Sequence, residues 1–223
     1  MTGANAGIVG ANRGAMRAEW FGRQLLPALA GLWLFLAGGC TTLLYPSGPA
    51  NPAAWQNRLP RLQNLDDWRL HGRIGVVTPG NGGSANVSWV QQGEEMSLSF
   101  SGPFGLGAVS LWGTPSEMYL RDSQGHVQTT VTPETALERR LGWPIPVASL
   151  RYWVTGQPAP GSPYQLRLDS RGLVIQLQQQ GWTVAYEAYA PAAGLLLPVR
   201  LAASRPGGHI KLVVNDWKLP PTP

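Results

Sequence analysis

The chain has 223 residues, with 17 Lys and Arg against 12 Asp and Glu, one cysteine and ten tryptophans. A single cysteine excludes an intrachain disulfide, so stability has to come from packing. A net charge of +5, scattered along the chain, is too mild for a nucleic-acid surface.

Residues 16–40 open with Arg17 and Arg23 and continue with an uncharged apolar run from Leu25 to Ala37. That run is about 13 residues long, short of the roughly 20 that a spanning helix needs, and predicts a signal-peptide core rather than an anchor. Residues 1–15 are dispensable in this reading, with Met16 a possible true start. Leu36-Ala37-Gly38-Gly39-Cys40 resembles a lipobox: small residues suit the peptidase, and the Cys40 thiol can carry a diacylglycerol. An unpaired thiol is a liability in an exported protein, which favours lipidation over a buried free cysteine or cleavage elsewhere. Thr41 in place of Asp after that cysteine implies sorting to the outer membrane. Cleavage before Cys40 leaves 14 basic and 11 acidic residues, enough chain for one domain with a substantial core.

Residues 40–54 mix Pro, Gly and small residues and read as a lipidated tether. Trp55, Leu59, Leu62 and Leu65 then recur at helical spacing, predicting a helix over 52–65 with a kink at Pro60. From Trp68 the period becomes two. Leu70, Ile74 and Val76 alternate with polar residues, as do Ala85, Val87 and Trp89, and then Met96, Leu98 and Phe100. Further strands are expected near 107–113, 116–122 and 126–131. Thr132-Pro133-Glu134 starts a helix that Gly142 closes, and a second short helix follows Pro146 and ends at Gly156. Strands return near 164–168, 172–179, 182–189, 196–203 and 208–218, with Leu173, Ile175 and Leu177 expected on one face and Leu197, Val199 and Leu201 on another. About eleven short antiparallel strands with one helical insertion curl most naturally into a barrel or half-barrel.

Catalytic patterns are missing. His71, His126 and His209 lie far apart without metal-ligand spacing, there is no nucleophile elbow, phosphate loop or C-x-x-C, and Glu94-Glu95 reads as a solvated turn. No enzyme, no metal and no nucleic-acid partner is expected. One loop breaks the usual pattern: Gly102-Pro103-Phe104-Gly105-Leu106-Gly107 joins two strands yet carries Phe104 and Leu106 at its tip. Either the tip folds back onto the core, or it is a membrane-touching finger whose side chain gains roughly 1.5–3 kcal/mol in a bilayer.

From Trp55 to Leu219 the chain resembles the LolB family of outer-membrane lipoproteins. The most specific stretch is Gly142-Trp143-Pro144-Ile145-Pro146-Val147-Ala148-Ser149-Leu150-Arg151-Tyr152-Trp153, supported by Trp89-Val90-Gln91-Gln92, His209-Ile210-Lys211-Leu212 and Asn215-Asp216-Trp217. Phe104 stands where the family commonly has Leu. The resemblance implies a mainly β fold: an unclosed antiparallel barrel of eleven strands, with three helices (52–65, 133–141 and 147–155) over an apolar cavity. Residues 55–223 would form this domain, after a 1–39 signal peptide and the 40–54 tether. The implied function is to accept triacylated lipoproteins from a LolA-like periplasmic carrier and insert them into the outer membrane without ATP. The partners would be that carrier, the clients' acyl chains and outer-membrane phospholipid. The protein would be a monomer anchored on the periplasmic face by the diacylglycerol and N-acyl groups of Cys40, with no other cofactor.

The implied lining is Val87, Trp89, Met96, Leu98, Phe100, Ile175, Leu177, Val184, Tyr186, Val199 and Leu212, under lid residues Leu137, Leu150 and Trp153. Each is equally compatible with an ordinary core. Three other readings stay open: a structural or assembly lipoprotein with a filled barrel, a soluble LolA-like carrier, and a lipoprotein hydrolase.

Overall fold

A computed structural model describes residues 49–102, 108–130 and 132–220. Asn51 starts the fold. Its side-chain oxygen accepts the Ala54 N–H at 3.0 Å, and Pro52 takes the first helical position, so helix α1 runs Pro52–Gln63 and continues through Pro60. Pro52 to Ala54, where the expected tether and the expected helix overlapped, are therefore the first turn of α1. The same Asn51 ties this turn to the sheet: its backbone N–H donates to the Asp169 carbonyl at 3.2 Å and its amide to the Ser170 carbonyl at 3.3 Å. Gly172, at φ +72°, allows the close approach, since a side chain there would meet the Trp55 nitrogen at 2.6 Å. Trp55 and Leu62 are buried, while Arg58 and Arg61 donate to the Leu196 and Gly194 carbonyls.

Eleven strands follow: β1 (Asp67–Thr78), β2 (Asn81–Gln92), β3 (Glu95–Ser101), β4 (Val109–Thr114), β5 (Glu117–Arg121), β6 (Val127–Thr130), β7 (Tyr164–Leu168), β8 (Val174–Gln179), β9 (Trp182–Ala192), β10 (Leu195–Arg205) and β11 (Gly208–Lys218). They form one antiparallel sheet in the order β6-β5-β4-β3-β2-β1-β11-β10-β9-β8-β7. Each strand pairs with the next one in the chain except β6 and β7, which are the two edges, and β1 also pairs with β11, which joins the two halves. The expected strand count and the mainly β architecture are what the structure has; only the starts and ends of strands move, by a few residues.

Helices α2 (Pro133–Leu141) and α3 (Val147–Trp153) lie between β6 and β7 in the chain. The Thr132 hydroxyl accepts the Thr135 N–H at 3.2 Å to start α2, and Gly142 ends it at φ +67° with its N–H on the Glu138 carbonyl. The Glu134 carboxylate accepts the Ala148 N–H at 2.8 Å and so ties α2 to α3. Alternate residues of the strands point to one buried side, where the helices also place Leu62, Ala136, Leu137, Val147, Leu150, Trp153 and Val154.

Three irregularities interrupt the alternation. At His71/Gly72 the register with β11 shifts, and a side chain at Gly72 would meet the Val213 carbonyl oxygen at 2.2 Å. A shift at Arg167/Leu168 leaves Leu173 and Val174 both buried and Ile175 half-buried, which corrects the expected Leu173-Ile175-Leu177 face. Around Pro198–Leu201 the pairing with β9 shifts twice and passes over Val199. Pro198 is buried while Val199 is only half-buried, so Val199 does not continue the face of Leu197 and Leu201.

Candidate functional site

The interior is built by register. Trp89 pairs with Leu70 on one side and Leu98 on the other, Leu98 pairs with Leu111, and Leu111 with Leu120. In the next row Val87 pairs with Phe100, and Phe100 with Val109. Across the other half, Tyr186 pairs with Leu201, Leu201 with Leu212 and Leu212 with Ile74, while Leu177 pairs with Val184 and Val184 with Ala203. Paired residues project to the same side, so these rows form one apolar surface across the sheet.

Of the fourteen residues expected to line the interior, Val87, Trp89, Leu98, Phe100, Leu137, Leu150, Trp153, Leu177, Val184, Tyr186 and Leu212 are all buried in one cluster. Met96 is half-buried against it. Ile175 and Val199 lie outside it, for the register reasons given above. The interior is filled by side chains: Leu137 and Trp153 have no measurable exposure, and Leu150 retains 3%. Cys40, Phe104 and Leu106 lie outside the described residues, as do the signal peptide and most of the tether.

Several interior residues were not among those expected to line it. Trp143 packs edge-on to Phe100 with ring centres 6.0 Å apart. Trp68 sits between Trp89 and Trp217 at 5.3 and 5.5 Å. Trp182 lies 6.3 Å from Trp153. Trp143 was legible only as part of a motif, because the irregular stretch between α2 and α3 has no period to assign it a side.

A buried polar knot fixes one end of the helical insertion. The Gln179 carbonyl oxygen accepts the Trp153 indole N–H and the Ala159 N–H, each at 2.9 Å, while its NH₂ donates to the Ala159 and Ser162 carbonyls. The Tyr186 hydroxyl donates to the Trp153 carbonyl at 3.0 Å, and burial pushes its phenol far above the ordinary tyrosine range. The alternation that faces Leu177 inward also faces Gln179 inward, so its position, though not its partners, was visible in the sequence. Helix α2 is held by more exposed contacts: Asn81 donates to the Leu141 carbonyl at 3.1 Å, and Arg140 pairs with Asp122.

Among the described residues no three His, Cys, Asp or Glu side chains group as metal ligands would, and no helix is long and apolar enough to cross a membrane. His71 and His209 are exposed on the outer side of the sheet, and His126 lies 3.4 Å from Asp122. Two surface depressions stand outside the interior. One of about 370 Å³ lies over His71, Asn86, Ser88 and Ser99, and another of about 480 Å³ lies at Tyr164, Gln178 and Trp182.

The family model described as "Outer membrane lipoprotein LolB" matches residues 66–217. The "Outer-membrane lipoprotein LolB" of Stutzerimonas stutzeri is 37% identical over 198 residues, covering 87% of this chain and 94% of that protein. The protein of the same description from Nitrosococcus oceani is 36% identical, covering 83% and 94% respectively. Among solved structures, a LolA superfamily protein from Nitrosomonas europaea superposes with a TM-score of 0.53 at 12% identity, covering 79% of this chain and 96% of that one. A DUF1329 family protein from Desulfovibrio piger gives a TM-score of 0.50 at 10% identity, covering 75% and 92%. At such identities the two superpositions speak for the fold alone.

Proposed function

The chain belongs to the outer membrane lipoprotein LolB family, and from that premise we propose that it accepts triacylated lipoproteins from a LolA-like periplasmic carrier and inserts them into the inner leaflet of the outer membrane. The observation that carries this reading is the continuous apolar surface of an unclosed sheet, covered by side chains of the helices. An acyl chain of about sixteen carbons costs on the order of 12 kcal/mol to expose to water, at about 0.8 kcal/mol per CH₂. Free diffusion of a triacylated client across the periplasm is therefore closed, and its chains have to pass between shielded sites. Transfer runs down an affinity gradient without ATP, and no bond is made or broken in the cargo, so the protein is not an enzyme.

The roles divide along the chain. Lipidated Cys40 holds the protein at the outer membrane, facing the periplasm. The interior around Val87, Trp89, Leu98, Phe100, Leu177, Val184, Tyr186 and Leu212 takes acyl chains when Leu137, Leu150 and Trp153 give way. Phe104 and Leu106 enter the inner leaflet at release. Among the described residues, α2 has the more exposed attachments and α3 the buried Gln179 knot, so α2 is the element expected to move first.

One observation favours a second reading, a structural lipoprotein with a filled barrel: the interior side chains leave almost no accessible surface. The deciding experiment is transfer of a triacylated lipoprotein from its carrier to the purified mature protein, with saturable uptake of a fluorescent fatty acid as a companion. Saturable uptake and transfer support the receptor; neither process occurring selects the filled barrel.

A further inference from the structure

Arg140 to Trp143, four consecutive residues at the end of α2, fasten that helix to the ends of two hairpins. Arg140 pairs with Asp122 between β5 and β6, and the Leu141 carbonyl accepts from the Asn81 amide of β2 at 3.1 Å. At Gly142 the Asn81 amide fills the space a Cβ would need, so the two segments meet only because that residue is glycine. Trp143 completes the series, with its ring against Gly83 of β2 and edge-on to Phe100.

The strand beneath prepares a seat for that ring. Trp89, Val87, Ala85 and Gly83 alternate along β2, and this inward series shrinks from an indole to no side chain at all. Gly83 is not at a positive φ, so its backbone does not call for glycine, and a glycine inside a strand weakens it. What it supplies is room: a Cβ there would stand 3.1 Å from Cζ2 of Trp143. Every other buried aromatic side chain among the described residues sits on a helix or strand, whereas Trp143 is carried by the irregular stretch between α2 and α3. Trp89, Trp153 and Trp217 are also pinned through their indole N–H groups, to Gln91, Gln179 and the Pro198 carbonyl. Among the described residues the Trp143 indole has no hydrogen bond, so its ring is held by contact alone. An acyl chain offers apolar burial and dispersion but no acceptor. It can replace a ring held by contact and cannot replace one pinned through N–H, and a ring on no strand moves without breaking a ladder. The fastenings beside Trp143 are weak as well: the Asn81–Leu141 bond is exposed, and the Arg140 side chain is half in water.

We infer that Arg140–Trp143 is the latch of the helical cover and Trp143 its gate: when an acyl chain enters, this end of α2 lets go and the Trp143 ring leaves its seat against Gly83 and Phe100. The assignment rests on the reading of the protein as an acyl-chain receptor.

The test labels the purified mature protein with 5-fluorotryptophan and follows its fluorine resonances while a fatty acid is titrated in. Trp143→Phe and Trp89→Phe identify two of the resonances by their loss. At saturation the Trp143 resonance should shift and become sensitive to exchange of H₂O for D₂O, while that of Trp89 stays shielded. Asn81→Ala removes the bond to Leu141 without touching the interior. It should lower Tm and raise fatty-acid affinity about threefold, because only the closed state loses the bond. A contact that serves the fold alone would lower Tm and leave affinity level. Saturable binding with an unchanged Trp143 resonance, or level affinity in Asn81→Ala, overturns the latch and leaves the receptor reading standing. Absence of saturable binding overturns both.

Discussion

Replacing Leu137 with Ala separates a lid from a wall. Leu137 is completely buried on α2, and its neighbour Ala136 is nearly so. A buried Leu→Ala change costs about 2.7–5 kcal/mol, of which the lower figure is close to the transfer term and the excess reflects the cavity left behind. For a domain of this size a loss of about 3 kcal/mol lowers Tm by about 6–12 °C. If α2 is displaced when cargo enters, a flexible acyl chain can fill the vacated space and recover the cavity term. The closed state then loses about 1–2 kcal/mol more than the loaded one, and acyl-chain affinity should rise about fivefold to thirtyfold although the protein is less stable. Thermal unfolding by circular dichroism gives the first quantity, and titration with a fluorescent fatty acid gives the second. Affinity that stays level or falls together with stability would mean that α2 is a fixed wall, and the displacement reasoning would be wrong.

Four further outcomes are expected. Phe104→Glu should leave cargo uptake intact and slow membrane delivery, because a carboxylate at the loop tip opposes entry into the leaflet; equal delivery rates would remove the loop's role. Cys40→Ala should abolish incorporation of labelled palmitate while leaving acyl-chain uptake by the protein in solution unaltered. Gly172→Ala should destabilise the fold by about 1–3 kcal/mol, since the residue sits at φ +72° with α1 backbone in the space a Cβ needs, and hydrogen exchange should show α1 loosening first. The fourth concerns Asp122. Burial works against its charge, but the N–H groups of His126 and Gln124 and the Arg140 guanidinium outweigh burial and hold the carboxyl below its ordinary 3.8. A depressed carboxylate stabilises the fold at pH values above 3.8, and that contribution is lost as pH falls through the lowered value. The Tm difference between wild type and Asp122→Asn should hold near neutral pH and close as the pH falls below 3.8.

Most of the sheet was legible because its residues obey a period of two: Met96-Leu98-Phe100 with intervening serines admits one face, and the structure buries that face with Met96 at its margin. The start of α2 was legible because Thr132-Pro133 carries both a cap and a first-turn proline, whereas the same pattern at Asn51-Pro52 lay unread inside the expected tether. Ile175 and Val199 were misplaced because a bulge adds a residue to one strand and turns the side chains beyond it, and nothing in a local window announces the extra residue. Trp112 escaped for the opposite reason. Its alternation with Leu111 is regular, and the period names its side without saying that a Trp there stacks on Tyr119 beneath Arg121. Pairing across strands is non-local information, and the stack exists only once β4 and β5 are in register.

A filled interior fits an ATP-free receptor better than an open one. Swinging Leu137, Leu150, Trp153 and Val154 into water would cost roughly 1.5–3 kcal/mol each, or about 6–12 kcal/mol together. An empty open state is then rarer than about one molecule in ten thousand, so the apolar surface is hidden while the protein waits. Shielding one acyl chain of about sixteen carbons returns on the order of 12 kcal/mol, and three return far more. Cargo itself can therefore hold the helices apart, and they re-cover the interior when the chains leave. The Gln179 knot suits this cycle: its four hydrogen bonds hold Trp153 and the Ala159–Ser162 stretch on β8 in the closed state, a defined seat for the helices to return to. Gln179→Leu tests the point, since it leaves the Trp153 indole N–H, the Ala159 N–H and their partners without a bond in the core. Stability should fall by about 1–3 kcal/mol and release of a bound fatty acid should slow, because the closed state to which the helices return is weakened. A variant that loses stability but releases at the wild-type rate would show that the knot serves the fold alone.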